Sequence, residues 1–200
     1  MTTLTHNLDH IHHSHNTDEN DIFGFWIYIM SDCVLFATLF ATYIVLHTKT
    51  FGGPSMRQIF DLPYLLIETL ALLVSNFTFG LAVLHSYKQQ RHRVNAWLAA
   101  TFILGSVFVG MELHEFASLV QAGHSWQQSA FLSAFFTLVG THGLHVTFGL
   151  FWIAIIIIQI SLQGLSPTLS KRLTYLGLFW NFLDIVWIFV FSIVYLMGAI

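Results

Sequence analysis

The sequence predicts an all-α membrane protein, a bundle of five transmembrane helices, and three observations carry that prediction. Of the 200 residues, only 8% are charged and 56% are hydrophobic. A soluble domain carries about 25% charged residues, so most of this surface must face something other than water. Five apolar runs reach the roughly 20 helical residues needed to cross a hydrocarbon core about 30 Å thick. None of them alternates apolar and polar residues in the way that strands of a membrane barrel do.

The runs cover residues 22–46, 63–85, 96–120, 130–160 and 175–197. The first carries Asp32 and the single cysteine, Cys33. The second opens on Pro63, a position in the first turn where proline is tolerated. The third holds Glu112 and Glu115, the fourth His142 and His145, and the fifth Asp184. The links between them are short and polar: 47–62 with Gly52, Gly53 and Pro54, then 86–95, 121–129, and 161–174 with Pro167. Short links make sequential helices antiparallel neighbours. No internal repeat of the inverted-transporter kind is present.

Residues 1–21 read as a disordered, His-rich polar tail ahead of a five-helix domain at 22–200. Its five histidines, His6, His10, His12, His13 and His15, could ligate a metal. The preferred reading is a solvated segment in which they have no fixed geometry. No basic stretch precedes the first apolar run, so a cleaved signal peptide is not expected. Basic residues set the orientation. Lys88, Arg91, Arg93, Lys171 and Arg172 fall on the tail's side of the membrane, against Lys49 and Arg57 on the other. That asymmetry places the N-terminus in the cytoplasm and the C-terminus in the periplasm.

A net charge of -3 gives no indication of a nucleic-acid partner. A lone cysteine excludes a disulfide framework, a CxxC motif and a paired-thiolate copper site.

Within the spans the informative residues are the charged ones, each costing about 2.5–3.5 kcal/mol at mid-helix on insertion scales. Asp32, Glu68, Glu112, Glu115 and Asp184 lie in the spans, and no Lys or Arg does. Depth along the helices sorts these groups into two layers, at about 1.5 Å per residue. Asp32, His142, His145 and Asp184 fall near the midplane; Glu68, Glu112, His114 and Glu115 fall nearer the outer side. His142, His145 and Gly149 share one stripe of the fourth helix, and Trp180, Asp184 and Trp187 one stripe of the fifth. Asp184 is therefore expected to accept a hydrogen bond from an imidazole of that stripe. Glu112 and Glu115 share a face, and His114 points away from it.

A His pair three residues apart can hold a metal, but only with further ligands from elsewhere. A packed, hydrogen-bonded pair is the preferred reading. Intramembrane acids suggest a proton or ion path by default. The broken helices of a transporter are missing from this sequence, which favours a structural network.

Several stretches resemble the signature segments of subunit III of haem–copper respiratory oxidases. They are Gly24-Phe25-Trp26 through Ser31-Asp32, Gly110-Met111-Glu112 with Glu115-Phe116, Thr141-His142-Gly143-Leu144-His145-Val146 with Gly149, Phe179-Trp180-Asn181-Phe182-Leu183-Asp184, and Val194-Tyr195-Leu196-Met197-Gly198. The likeness covers nearly all of the chain after the tail and is nearest to the five-helix form in bacterial bo-type ubiquinol oxidases.

The resemblance implies a V-shaped bundle with a lipid-filled cleft, docked on the catalytic subunit I, with subunits II and IV as further partners. It also implies no haem or copper on this chain, bound phospholipid, and haems and copper in subunit I. The complex would oxidise ubiquinol, reduce oxygen and pump protons across the bacterial inner membrane. Asp32, Glu68, Glu112, Glu115, His142, His145 and Asp184 would form the polar network or line the cleft. Two positions depart from the family pattern. Asn181 stands where His is usual, and amide cannot titrate; Asp32 stands where many relatives carry Glu. The alternatives are a cytochrome c oxidase subunit III, an independent proton or ion transporter, and a membrane metalloenzyme built on His142 and His145.

Overall fold

The computed structural model describes residues 2–47, 62–123 and 129–196. Among them there are five α-helices, a closing π-helical turn and no strand. The helices are α1 Thr2–Leu46, α2 Leu62–Tyr87, α3 Arg91–Gln121, α4 Ala130–Gln163 and α5 Pro167–Val190, and the π-turn is Phe191–Leu196. All five are long and apolar enough to cross a membrane, as the sequence predicts. Most of the 47–62 link, with Lys49, Gly52, Gly53, Pro54 and Arg57, lies outside the described residues, as does the end from Met197.

Two boundaries differ from expectation. Helix α1 starts at Thr2 rather than near residue 22, so the polar stretch read as a disordered tail continues the first span as helix. No Gly or Pro stands between residues 2 and 23 to interrupt it, and extending an existing helix avoids the nucleation cost. The side chains of the tail histidines are outside the described residues. The second difference is that much of the 161–174 link is helical. Ser166 caps α5 by accepting from the Leu169 N–H at 3.2 Å, and Pro167 occupies the first helical position. This is the serine-then-proline start that suits a helix N-terminus. Ser129 caps α4 in the same way at 3.1 Å. Gly164, at φ +81°, ends α4 in the left-handed region that glycine adopts most readily.

The chain divides into two compact units, Met1–Ala37 and Thr38–Ile200. The first is the greater part of α1 and carries Asp32. In the second, α2 packs on α3 and α5, and α4 packs on α3 and α5, so the four helices close a ring. Phe108, Phe135, Leu138, Ile153, Trp180 and Trp187 are fully buried within it. The last turns of α1 join this unit through Tyr43, whose hydroxyl donates to the Val194 carbonyl at 3.4 Å.

At one end of the ring the two basic connections are tied together. The Arg91 guanidinium donates to the Ser161 carbonyl, Asn95 donates to the Ser161 hydroxyl at 2.8 Å, and the Ser86 and Ser170 hydroxyls meet at 3.2 Å. Outward, Leu144, Phe148, Phe151 and Ile155 of α4 are each more than half exposed. Such a continuous apolar face is untenable in water and natural in hydrocarbon.

Candidate functional site

The polar residues of α2, α3 and α5 interlock through the centre of the ring. Trp180, Asp184 and Trp187 do share one stripe of α5, and each of them bonds to α2. The Trp180 indole N–H donates to Ser75 Oγ at 3.3 Å, Asn76 Nδ2 donates to Asp184 Oδ2 at 3.0 Å, and the Trp187 indole N–H donates to Thr69 Oγ1 at 3.1 Å. Ser75 Oγ in turn donates to the Thr101 carbonyl at 3.4 Å, and the Thr78 and Thr101 hydroxyls meet at 2.9 Å, which brings α3 into the same ladder.

The expected bond between Asp184 and the α4 imidazoles is therefore corrected: the partner of Asp184 is Asn76 on α2. The α4 stripe meets the α5 stripe through rings instead. His142, fully buried, stacks on Trp187 with centroids 5.2 Å apart and planes at 28°. Phe108 stands edge-on to Trp187 at 4.7 Å. His145 turns back on its own helix, its Nδ1 2.7 Å from the Thr141 carbonyl. A flat imidazole between two aromatic rings gains contact area there, while the amide of Asn76 is the shorter reach for a carboxyl on the α2-facing side.

Trp180 is the hub of this arrangement. A Cβ added to Gly149 on α4 would stand 2.8 Å from its Cζ3, and one added to Gly105 on α3 would stand 3.1 Å from its Cη2. The ring thus fits between two glycines while its N–H reaches α2, so one side chain touches three helices.

Three further carboxyls are buried in this unit. Glu68 is fully buried, and Glu112 and Glu115 are 3% and 7% exposed. Glu115 Oε2 accepts from the Tyr195 hydroxyl at 3.4 Å. Among the described residues, both oxygens of Glu68 and of Glu112 have no hydrogen-bond partner. The three carboxyls and Tyr195 lie within Coulomb range of one another. None of the five apolar runs of the sequence that carry these groups contains a Lys or Arg. As expected, His114 is exposed on the opposite side of α3, its ring 6.4 Å from that of Tyr64. Among the described residues, no group of three or more His, Cys, Asp or Glu is placed to hold a metal ion.

Of the seven residues expected to form the network, six lie in the ring unit and Asp32 in the other. Glu68, Glu112 and Glu115 form one group, Asp184 belongs to the α2–α5 ladder, and His142 belongs to the aromatic stack. Asn181 faces outward from α5, away from that ladder. Sequence reading overlooked Ser75, Asn76, Thr101 and Tyr195. Asn76 was detectable, since an amide in the middle of an apolar span needs a partner by the same reasoning as a carboxyl. Tyr195 was not, because its hydroxyl matters only through its distance to Glu115.

A bundle of five helices long and apolar enough to cross a membrane, with acids buried among them, defines the class as an integral membrane protein. The chain belongs to the cytochrome c oxidase subunit III family, whose pattern matches residues 6–199. It is 54% identical over 98% of its length to cytochrome bo(3) ubiquinol oxidase subunit 3 of Pseudomonas aeruginosa, covering 94% of that protein. It is 46% identical to quinol oxidase subunit 3 of Bacillus subtilis, over 91% of this chain and 89% of the other. It is 42% identical to cytochrome c oxidase subunit 3 of Bacillus sp. strain PS3, over 91% of this chain and 88% of the relative.

Proposed function

We propose that the chain is subunit III of a terminal ubiquinol oxidase of the haem–copper class. In that role it is a multi-pass protein of the bacterial inner membrane, lying beside a haem-bearing subunit I, with subunits II and IV in the same complex. The observation that carries the reading is nearly end-to-end similarity to bo(3) ubiquinol oxidase subunits. The structure supports it chemically. The polar groups of α2, α3 and α5 are spent on helix-to-helix bonds, which suits a scaffold.

On this reading the haems and copper reside in subunit I, and this chain carries neither. It holds phospholipid against subunit I, keeps that subunit assembled and sustains proton uptake near its entrance. The N-terminus is cytoplasmic and the C-terminus periplasmic, with Lys88, Arg91, Arg93, Lys171 and Arg172 on the cytoplasmic side. The relative named as a cytochrome c oxidase subunit favours a second reading, in which cytochrome c is the donor to the complex.

The test is purification of the complex through an affinity tag on this chain. The expected result is co-purification of a haem-bearing subunit that oxidises ubiquinol, and oxygen reduction that persists, with shortened lifetime, once this chain is stripped away. Oxidation of cytochrome c and not ubiquinol would select the second reading. Purification without any haem protein, or stoichiometric iron or copper on the isolated chain that disappears in His145→Ala, would overturn both.

A further inference from the structure

A groove of about 530 Å³ opens between α3 and α4. Its apolar walls include Leu113, Phe116, Phe136 and Leu144, and its floor includes Gly143 and Glu112. The floor is unusual. Glu112 is 3% exposed, and neither carboxyl oxygen has a hydrogen-bond partner among the described residues. The same two oxygens stand 2.5 and 2.6 Å from where a Cβ on Gly143 would be. Only glycine lets that carboxyl lie against the α4 backbone, so the fold makes room for an acid to which no described residue donates a hydrogen bond.

A buried carboxyl left without a partner is costly, and the chain has no Lys or Arg between residues 94 and 170 to offer one. Whatever fills the groove therefore brings a hydrogen-bond donor. Depth decides between a lipid and a protein as that donor. The midpoint of α3 (Arg91–Gln121) is Ser106, six residues from Glu112, or about 9 Å along the axis. On α4 (Ala130–Gln163) the midpoint falls between Val146 and Thr147, about 5 Å from Gly143. Half of a hydrocarbon core is about 15 Å, so the carboxyl sits well inside the acyl-chain region. An acyl chain carries no donor at that depth, and a headgroup would have to be dragged into hydrocarbon to reach it. A side chain on a membrane-spanning helix reaches it directly.

We infer that the α3–α4 groove is the seat of a transmembrane helix from another subunit, which supplies a donor side chain to the Glu112 carboxyl. This rests on the chain being part of a larger oxidase complex and names the surface through which it is held. Gly140, which also lines the groove, presents no Cβ to an approaching helix, as small residues do at helix contacts in membranes.

The experiment places a photoreactive amino acid at Leu144, 73% exposed on the rim of the groove, in the whole complex in native membranes. Irradiation should give an adduct to a different polypeptide of the complex, identified by mass spectrometry. Glu112→Leu should weaken retention of the chain in the complex by roughly three- to fifteenfold, the range set by interhelical hydrogen bonds in membranes. Glu112→Gln, which keeps an acceptor oxygen, should retain most of the binding, and the level of chain in the membrane reports whether each variant folds. Adducts only to phospholipid, or only to a second copy of this chain, would overturn the inference. So would equal retention of Glu112→Leu and wild type. Failure of the wild-type chain to co-purify with any haem protein would instead reject the subunit reading itself.

Discussion

Replacing Gly149 with alanine places a methyl group 2.8 Å from Trp180 Cζ3, 3.0 Å from its Cε3 and 3.2 Å from Phe179 Cε1. Separations under 3 Å cannot stand, so α4 and α5 must part or the indole must turn. Trp180 is 1% exposed, and its ring is held on the far side by Gly105 and by the bond to Ser75. Overpacking of this kind typically costs about 1–3 kcal/mol. For a chain of this length, where each kcal/mol moves the midpoint by about 2–4 °C, Gly149→Ala should lower the melting midpoint of the detergent-solubilised protein by about 3–10 °C.

The mechanism makes a sharper demand on the double variant. Trp180→Phe removes the outer atoms of the indole that crowd Gly149, so adding Gly149→Ala to it should cost less than about half of its cost in wild type. That coupling is what contacting residues show in a double-mutant cycle. A Gly149→Ala penalty of the same size in both backgrounds would refute the wedge, and so would no penalty in wild type.

In the Asp184–Asn76 pair, Asp184→Asn keeps both a donor and an acceptor and should be mild, whereas Asn76→Leu strands a buried carboxyl. A cycle on the two positions, read by thermal stability, should give a coupling of about 0.6–1.7 kcal/mol, as for interhelical bonds in membranes. No coupling would return Asp184 to some other partner. Tyr195→Phe and Glu115→Gln should each weaken the chain, and their effects should overlap rather than add if the 3.4 Å contact is their shared purpose. Full additivity would separate the two residues. Cysteines replacing Lys88 and Lys171, in a Cys33→Ser background, should react with a membrane-impermeant maleimide only from the cytoplasmic side; labelling from the periplasm would invert the assigned orientation.

The helices were legible because crossing hydrocarbon imposes a length and composition that a linear sequence displays directly. The start of α4 just after Ser129 was legible, whereas that of α5 at Pro167 was not, because the polar residues of 161–174 read as a link. The outward turn of His114 followed from its angle on α3. Pairing was harder. The stripes of α4 and α5 were correctly placed face to face, yet the contact between them is stacking of His142 on Trp187, while Asp184 reaches Asn76.

By itself, then, the sequence determined that this is a five-helix membrane protein whose spans carry acids and histidines but no Lys or Arg. Those properties depend on residue type and on spacing within one helix. The tertiary structure alone decided that Trp180 is the hub, that Tyr195 serves Glu115, and that Gly143 makes room for the Glu112 carboxyl. Each of these depends on how one helix is rotated and shifted against another. Periodicity fixes which residues share a face, but the contact between two faces is set by a packing geometry that no single helix encodes.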